Sequence, residues 1–231
     1  MIDNERTKRV LGEELTHLVD RHVLIFGVGG VGGSLCESLL RLGVRELTFI
    51  DRDVVEPSNA NRQIVATEEV FGEKKVLAME KRLRAISRDA LLHPICADVT
   101  EEWLEDFDPT PYDAVCDCID TVSAKLALYA WAEKHKIALI SSLGAGNRLD
   151  PTALQVTKLS KTSMDPLARV MRREVKKRGL KDVTVVCSTE APRRAKEATG
   201  RTPGSTPFVP PAAGLVMGSA LLRSWMGEIV L

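Results

Sequence analysis

The chain has 231 residues, of which 44% are hydrophobic and 28% are charged, and its 32 Lys and Arg balance 32 Asp and Glu. This length and composition predict one soluble globular domain with a sizeable core. No apolar stretch approaches the ~18 residues that a membrane-spanning helix needs, and the polar residues 1–6 contain no apolar signal core. We therefore expect a cytoplasmic protein without a transmembrane segment.

The cysteines and histidines argue against a disulfide framework and against a structural metal. The five cysteines are an odd number and include no Cys-x-x-Cys pair, whereas disulfide frameworks and four-cysteine zinc sites need paired cysteines. The four histidines show no metal-ligand spacing. They are His17, His22, His93 and His135.

The predicted elements of the first two thirds alternate between strand and helix. Short apolar runs that end in glycine or polar residues predict strands, and apolar residues three and four apart predict helices. Strands are predicted at 22–27, 46–51, 91–97, 113–119 and 137–141, and helices at 30–42, 73–87 and 121–136. This order predicts the α/β class, with a doubly wound, Rossmann-like, mostly parallel sheet.

The last third has a different pattern and predicts additional strands and helices. Strands are expected at 153–159 and 182–187, and an apolar helix rich in small residues at 212–225. A basic helix is expected at 165–177, with Asp165 as its N-cap and Pro166 at its first position. Residues 189–211 are rich in Pro, Gly, Arg and Thr and predict a loop.

The residues Gly27, Gly29 and Gly32 form a G-x-G-x-x-G pattern between a predicted strand and a predicted helix. Glycines in such a turn let backbone N–H groups approach phosphates at the positive end of the helix. Asp51 ends the second strand, where an acidic side chain meets a ribose hydroxyl. NAD, FAD and ATP all fit this much of the pattern.

The pair of Arg62 and Lys75 favours ATP. Arg62 lies in the loop after the second strand, and Lys75 follows thirteen residues later in the first turn of the next helix. A guanidinium and an ammonium that meet in one crevice neutralise the charge of a reacting phosphate chain, which a dinucleotide dehydrogenase does not need. We therefore interpret the pattern as an enzyme that splits ATP to activate a carboxylate.

Acidic residues follow the fourth predicted strand, where the carboxyl ends of parallel strands form the ligand crevice. Asp120 is placed to bind a Mg²⁺ ion that bridges phosphates. Asp117 is instead expected to be the buried partner of a backbone or basic group. Cys116, Cys118 and Cys187 are interpreted as core residues, with Cys187 the cysteine whose role is most open.

The ordered segments GVGGVG, FIDRDVVEPSNANRQ, FGEKK, DCIDT and SSLGAGNRLDP resemble the E1-like, ubiquitin-activating-enzyme-type adenylyltransferase superfamily. Within it the chain is most similar to the tRNA threonylcarbamoyladenosine dehydratases, from about Arg6 to Trp225. The resemblance implies an enzyme that uses ATP and Mg²⁺ to adenylate the carboxylate of N6-threonylcarbamoyladenosine in tRNA. Ring closure then gives the cyclic form and releases AMP, after pyrophosphate has left in the first step.

The resemblance also implies roles for individual residues. The nucleotide ligands would be Gly27, Gly29, Gly30, Gly32, Asp51, Asp53, Asn61, Arg62, Gln63 and Lys75, and the catalytic residues Arg62, Lys75 and Asp120, the last as the Mg²⁺ ligand. It implies a homodimer in which Arg6 or Arg9 reaches the neighbouring ATP, and it leaves a sulfur-relay protein partner open. We expect one domain over 1–231, with a nucleotide-binding part at 20–150 and a substrate-binding and dimerisation extension at 151–231.

Residues 158–201 contain thirteen Lys or Arg and five Asp or Glu, which gives this stretch a net charge of +8. Such asymmetry predicts a polyanionic partner, although a solvated helix face explains the charge equally well. In the context of the resemblance the partner is tRNA. The proposed tRNA contacts are Arg169, Arg172, Arg173, Lys176, Lys177, Arg193 and Arg194, with Arg178, Lys196 and Arg201 nearby.

Two other functions account for part of the sequence. An adenylyltransferase acting on the C-terminus of a small ubiquitin-like sulfur-carrier protein would share the nucleotide motifs, but such enzymes usually contain paired Cys-x-x-Cys zinc ligands, which this chain lacks. An NAD-dependent oxidoreductase would explain the glycine turn and Asp51 but not Arg62 and Lys75.

Overall fold

The computed structural model describes residues 4–193 and 203–231. Seven strands form one sheet in the order β3-β2-β1-β4-β5-β7-β6, in which β6 and β7 are antiparallel and the other neighbours are parallel. The strands are β1 (His22–Phe26), β2 (Glu46–Ile50), β3 (Leu91–Ile95), β4 (Ala114–Asp117), β5 (Leu139–Ser142), β6 (Leu154–Lys158) and β7 (Thr184–Ser188). The prediction of a doubly wound, mostly parallel sheet is confirmed.

Eight α-helices accompany the sheet in the described ranges. They are α1 (Glu5–Leu11), α2 (Glu14–Leu18), α3 (Gly30–Leu42), α4 (Lys75–Ile86), α5 (Glu101–Glu105), α6 (Val122–His135), α7 (Pro166–Arg178) and α8 (Val209–Trp225). Short 3-10 turns lie at Pro57–Asn59, Glu68–Val70, Pro151–Ala153 and Leu159–Lys161. None of the helices within the described ranges is both long and apolar enough to cross a membrane.

Some helices match the prediction, one begins earlier than predicted, and three were not predicted. Helix α3 covers the predicted residues and ends at Gly43, whose φ of 122° suits glycine. Helix α8 begins at Val209, three residues earlier than predicted, because Pro210 and Pro211 fit the first turn of a helix. The three helices α1, α2 and α5 were not predicted, since five to seven residues are too few to show a helical period.

Two hydrophobic clusters cover the two faces of the sheet. Helices α3, α4 and α8 bury one face, and α5, α6 and α7 bury the other. Every residue of the central strand β1 is buried, as expected for a parallel strand between two helical layers. The carboxyl ends of β1, β2, β4 and β5 therefore meet at one edge of the sheet, where loops are free to form a site.

The small residues of α8 pack against α3 of the same chain. A Cβ atom at Gly214 would lie 2.3 Å from the Val31 carbonyl oxygen, and one at Gly218 would lie 3.2 Å from Ser38 Oγ. Small residues permit this close approach of two helices. The small residues of α8 are thus used for packing within the subunit.

Candidate active site

The glycine turn between β1 and α3 needs glycine for two different reasons. Gly27 has a φ of +91°, and a Cβ atom at Gly32 would lie 1.8 Å from the Gly27 carbonyl oxygen, so the backbone itself requires these two glycines. Gly29 has a φ of −86°, and its Cβ would meet only Gln63 Nε2, at 3.8 Å. The space beside Gly29 is therefore free for a ligand.

This open space lies at the N-terminus of α3. The N-cap Gly29 makes no side-chain cap hydrogen bond, and the first N–H groups of a helix have no intrahelical acceptor. Together with the helix dipole, these groups favour an anion. The geometry fits a phosphate group of ATP.

Asp51 joins the end of β2 to the glycine turn. One carboxylate oxygen accepts the Val28 N–H at 2.7 Å, and the other accepts the Asp53 N–H at 2.8 Å. Asp53 in turn accepts a hydrogen bond from Lys75 Nζ at 2.8 Å, and the Lys75 N–H donates to the Asp53 carbonyl at 3.0 Å. The structure thus brings Asp51, Asp53 and Lys75 together, as a shared nucleotide site requires.

The loop after β2 returns to the glycine turn. A Cβ atom at Gly30 would lie 3.1 Å from the Arg62 carbonyl oxygen and 3.5 Å from Arg62 Cγ. The absence of a side chain at Gly30 therefore lets Arg62 lie close to the glycine turn. Arg62 Nη1 donates to the Ser58 carbonyl at 3.1 Å and to Asn61 Oδ1 at 2.8 Å. Gln63 is buried, and its Oε1 has no hydrogen-bond partner among the described residues.

Asp120 and Asp117 have different surroundings although they are three residues apart. Asp120 lies exposed beyond the end of β4, with a long contact of 3.4 Å from Thr121 Oγ1, so its oxygens are accessible to a hard cation such as Mg²⁺. The end of β4 also contacts the glycine turn, because a Cβ at Gly27 would lie 2.8 Å from the Cys118 carbonyl oxygen. Thr121, the residue before α6, makes no side-chain cap hydrogen bond.

Asp117 is fully buried, as the sequence predicts, and its partner is basic. Its Oδ2 accepts Lys125 Nζ at 2.7 Å and Ser141 Oγ at 2.6 Å. Lys125 also donates to the Ser142 carbonyl at 2.7 Å. This buried ion pair joins β4, α6 and β5 beneath the site, and Lys125 and Ser141 were not identified from the sequence.

The buried cysteines are unsuited to nucleophilic catalysis. Burial raises the pKa of the Cys116 and Cys118 thiols well above the usual range. Burial also raises the pKa of Cys187, with a smaller contribution from the Asp165 carboxylate. Because the thiolate is the reactive form, these three thiols are poor nucleophiles. Cys96 is exposed and follows β3, the outermost strand, where its Sγ lies 3.9 Å from the Arg52 carbonyl oxygen.

The loop after β5 is hydrogen-bonded to two other parts of the chain. Asp165 Oδ2 accepts the Gly144 N–H at 2.9 Å, while its Oδ1 accepts the Leu167 and Ala168 N–H groups, which confirms Asp165 as the N-cap of α7. Asn147 and Gly204 exchange two hydrogen bonds of 2.8 and 2.7 Å. The site loop, the start of α7 and the segment before α8 are therefore one connected structure.

Two residues stabilise this loop from opposite sides. Glu190 accepts the Leu149 and Asp150 N–H groups at 3.0 Å each, and these backbone hydrogen bonds, chiefly that from Asp150, hold the pKa of Glu190 below its usual value. Arg148 is 1% exposed and donates from Nη2 to the Met164 carbonyl at 3.1 Å. Its Nε and Nη1 have no partner among the described residues. An arginine between Asn and Leu in a glycine-rich loop gives no sequence signal of burial, so it was missed.

The basic residues of α7 divide into an exposed set and one residue that faces inward. Arg169, Arg173, Lys176 and Lys177 are exposed. Arg172 is half-buried and donates to the Thr162 carbonyl at 2.8 Å and to the Thr162 hydroxyl. The side chain of Arg172 is thus engaged within the subunit, contrary to its expected role at the surface.

The remaining basic residues of the prediction lie near the two ends of the described range 4–193 or just beyond it. Arg193 is exposed and pairs with Glu190 at 3.4 Å, whereas Arg194 lies outside the described residues. Arg6 and Arg9 are exposed on α1, which buries none of its seven residues. The side chains of Arg6 and Arg9 are therefore accessible from outside the subunit.

Comparison with known proteins agrees with this geometry. The model of the ThiF family matches residues 4–228. The tRNA threonylcarbamoyladenosine dehydratase of Bacillus subtilis is 35% identical, over 97% of this chain and 94% of the relative. The enzyme of the same name from Escherichia coli is 38% identical, over 80% of this chain and 72% of the relative.

A solved structure is similar over almost the same range. The crystal structure of the E. coli tRNA N6-threonylcarbamoyladenosine dehydratase in complex with ATP has a TM-score of 0.89 at 34% identity, over 96% of this chain and 93% of that chain. The family resemblance found in the sequence is therefore confirmed. Because the family model matches nearly the whole chain, the chain belongs to the ThiF family of E1-like proteins.

Proposed function

We propose that the chain is an ATP-dependent tRNA threonylcarbamoyladenosine dehydratase. It adenylates the threonyl carboxylate of the modified nucleoside in tRNA and closes that carboxyl group into a ring, releasing AMP and pyrophosphate. The observation that carries the proposal is the assembled site of the glycine turn, Asp51, Arg62 and Lys75 in a chain that matches dehydratases over nearly its full length.

The first step needs positive charge around the phosphates. The substrate carboxylate attacks the α-phosphorus of ATP, and pyrophosphate leaves as the acyl-adenylate forms. Lys75 is 7% exposed and neutralised by Asp53 in the described structure, so it is held at the glycine turn before ATP binds. Arg62 and Lys75 stabilise the charge that builds on the phosphates, and the N-terminus of α3 adds backbone N–H donors.

The second step needs positioning rather than a protein nucleophile. A nitrogen of the same substrate side chain attacks the activated carbonyl, AMP leaves, and the net change in the nucleoside is loss of one water. Because this attack is intramolecular, holding the two groups in contact supplies much of the acceleration. The raised pKa values of the buried thiols agree with a reaction that forms no bond to cysteine.

Asp120 is the proposed Mg²⁺ ligand. Its exposed carboxylate lies beyond the end of β4, next to the glycine turn, and offers the oxygen ligands that Mg²⁺ prefers. A bound Mg²⁺ would neutralise charge on the phosphates of ATP. The role of Arg62 and Lys75 in the same region is to bind the remaining phosphate oxygens.

The proposed extension at 151–231 supplies the tRNA contacts, and the nucleotide-binding part is 20–150. The hydrogen bond between Gly144 and Asp165 holds the start of α7 near the carboxyl end of β5, at the edge of the sheet that carries the proposed site. From there the exposed residues Arg169, Arg173 and Lys176, spaced at i, i+4 and i+7, form one basic face. Such a face suits the tRNA backbone beside the bound nucleoside.

The proposal includes a cytoplasmic homodimer. Short helices in water are marginal unless they pack against other structure, and α1 has no fully buried residue in its own subunit. Packing of α1 on a partner would give Arg6 or Arg9 access to the neighbouring ATP. The family resemblance alone supports a sulfur-relay protein partner.

ATP–pyrophosphate exchange tests the proposal. We expect exchange with Mg²⁺ and tRNA bearing threonylcarbamoyladenosine, and none with the same tRNA lacking the modification. Arg62→Ala should abolish exchange, whereas Arg41→Ala, at the far end of α3, should not. Exchange driven by a small carrier protein with a C-terminal glycine, and not by tRNA, would instead support the sulfur-carrier adenylyltransferase.

A further inference from the structure

A second group of ionisable side chains lies at the opposite edge of the sheet from the glycine turn. His22, Glu46 and His93 belong to the adjacent strands β1, β2 and β3, where His22 pairs with Glu46 and His93 pairs with Thr48. One ligand atom of each of the three lies within 4.8 Å of the other two. Among the described residues, no other trio of His, Cys, Asp or Glu meets this criterion.

The distances within this cluster are those of a nearly formed metal site. Glu46 Oε1 lies 3.0 Å from His93 Nε2 and 3.5 Å from His22 Nδ1. Zinc bound tetrahedrally at ~2.0–2.2 Å would keep its ligand atoms about 3.3–3.5 Å apart. The 3.5 Å separation of Glu46 from His22 falls in that range, and the 3.0 Å hydrogen bond between Glu46 and His93 would lengthen slightly when both atoms bind the ion. The ring nitrogens of the two histidines must move slightly closer together to bind one ion. The His93 side chain is free to make this movement because it is 47% exposed.

The His22 ring is held in the orientation that a ligand needs. Its Nε2 lies 2.8 Å from Thr48 Oγ1, and the Tyr112 ring packs edge-on against it at 4.5 Å between centroids. Metal-bound histidines usually donate their second ring N–H to such a partner, which fixes the tautomer. With Nε2–H donated to Thr48, the lone pair of Nδ1 faces Glu46.

The neighbouring carboxylate is engaged by other donors, and the exposed side of the cluster is open to a fourth ligand. Asp113 accepts Arg21 Nη1 at 2.6 Å and the His22 N–H at 2.8 Å, so its carboxylate is committed to those donors. The exposed side of His93 leaves room for water as a fourth ligand. The cluster begins β1 while the glycine turn follows it, so about 17 Å of strand separates the two places.

We propose that His22, Glu46 and His93 bind one Zn²⁺ ion, with water as the fourth ligand. Imidazole and carboxylate ligands in tetrahedral geometry suit zinc. The ion joins His22 and Glu46, which begin β1 and β2, to His93 in the middle of β3, and it stabilises the folded chain by mass action. It takes no part in the reaction of ATP, from which a strand length separates it.

Titration of the full-length, chelator-treated protein with ZnCl₂ tests the proposal. Isothermal titration calorimetry should give one equivalent of Zn²⁺ per chain, and the melting temperature should rise with added zinc. His93→Ala and Glu46→Gln should each weaken binding at least 100-fold, and Thr48→Val should weaken it about 10–100-fold by releasing the His22 ring. The matched control is His17→Ala, which removes an exposed histidine of α2 and should leave binding unchanged.

Two further measurements keep a folding defect apart from loss of a ligand. Circular dichroism in chelator should show that the His93→Ala chain folds, since His93 is half exposed. Co²⁺ should give the visible absorption of a tetrahedral site in the wild-type chain and not in His93→Ala. Absence of binding to the wild-type chain, or equal binding by the folded wild-type and His93→Ala chains, would overturn the proposal.

Discussion

At the scale of single residues, Lys75 and its neighbour Lys74 differ in surroundings although both are lysines at the start of α4. Lys75 is 7% exposed and donates to Asp53. Lys74 is exposed and makes a 3.4 Å contact with the Arg52 carbonyl. The link of Lys75 to the glycine turn through Asp53 and Asp51 favours Lys75 over Lys74 for the proposed phosphate contact.

Replacement of Lys75 by Met should remove charge stabilisation with little effect on folding. Asp53 keeps its solvation after the change because its side chain is 55% exposed. We expect kcat/KM for the dehydration to fall about 10²–10³-fold, the loss typical of one charge-stabilising donor. Steady-state kinetics of Lys75→Met and the control Lys74→Met measure this. Equal losses in the two variants would contradict the assignment.

At the scale of secondary-structure elements, the contact of α3 with α8 sets the position of the glycine turn. The two helices approach most closely where Gly214 faces the Val31 carbonyl oxygen. Both helices belong to the same hydrophobic cluster. Any separation of α8 from α3 would therefore move the N-terminus of α3, which is the proposed phosphate-binding element.

Alanine at Gly214 and at Gly218 should have different effects on stability. At Gly214 the new Cβ would lie 2.3 Å from a backbone oxygen, so we expect a loss of about 1–3 kcal/mol in the free energy of unfolding. At Gly218 the contact is 3.2 Å to the mobile Ser38 Oγ, and a gain in helix propensity of about 1 kcal/mol offsets it. Urea unfolding compares the two. Equal destabilisation would show that backbone approach does not decide the outcome.

The exposed basic face of α7 should determine tRNA affinity. Reversal of Arg169, Arg173 and Lys176 to Glu should weaken binding strongly at low salt, and the slope of log K against log salt should fall by about 0.7–0.9 per lost phosphate contact. Filter binding at several salt concentrations measures both. Lys134→Glu, an exposed reversal on α6, is the control. Unchanged affinity in the triple variant would remove α7 from the tRNA surface.

At the scale of the whole molecule, the proposed dimer makes each site depend on two chains. In that dimer Arg62 would act within its own subunit, and the arginines of α1 would act in the neighbouring one. A chain with Arg6→Ala and Arg9→Ala and a chain with Arg62→Ala should each be inactive as homodimers. Mixed after unfolding, they should regain about a quarter of the wild-type activity, because half of the dimers are mixed and each contains one complete site. No recovery would place the arginines of α1 outside the neighbouring site.

The parts of the molecule that the sequence predicted are those with local signals. The glycine turn, the helix α3 and the N-cap Asp165 each depend on residues within one or two turns of chain, and the structure has all three. The sheet followed from the order of such segments. Even the burial of Asp117 was foreseeable from its place at the end of a buried strand.

The parts that were missed depend on contacts between distant segments. The buried guanidinium of Arg148 donates to the Met164 carbonyl, and the backbone carbonyl of Arg148 accepts the Thr206 hydroxyl; these partners follow Arg148 by 16 and 58 residues. His22, Glu46 and His93 are scattered along the chain and become neighbours only through the strand order β3-β2-β1. Similarly, the inward turn of Arg172 requires Thr162, which lies before α7.

Mass spectrometry of the nucleosides tests the account most directly. The protein would be incubated with ATP, Mg²⁺ and tRNA that bears N6-threonylcarbamoyladenosine, and the tRNA would be digested under mild conditions that preserve a reactive ring. We predict that the modified nucleoside loses the mass of one water, with one AMP formed per nucleoside, and that Arg62→Ala prevents the change. An unchanged nucleoside in the presence of ATP–pyrophosphate exchange would contradict the account.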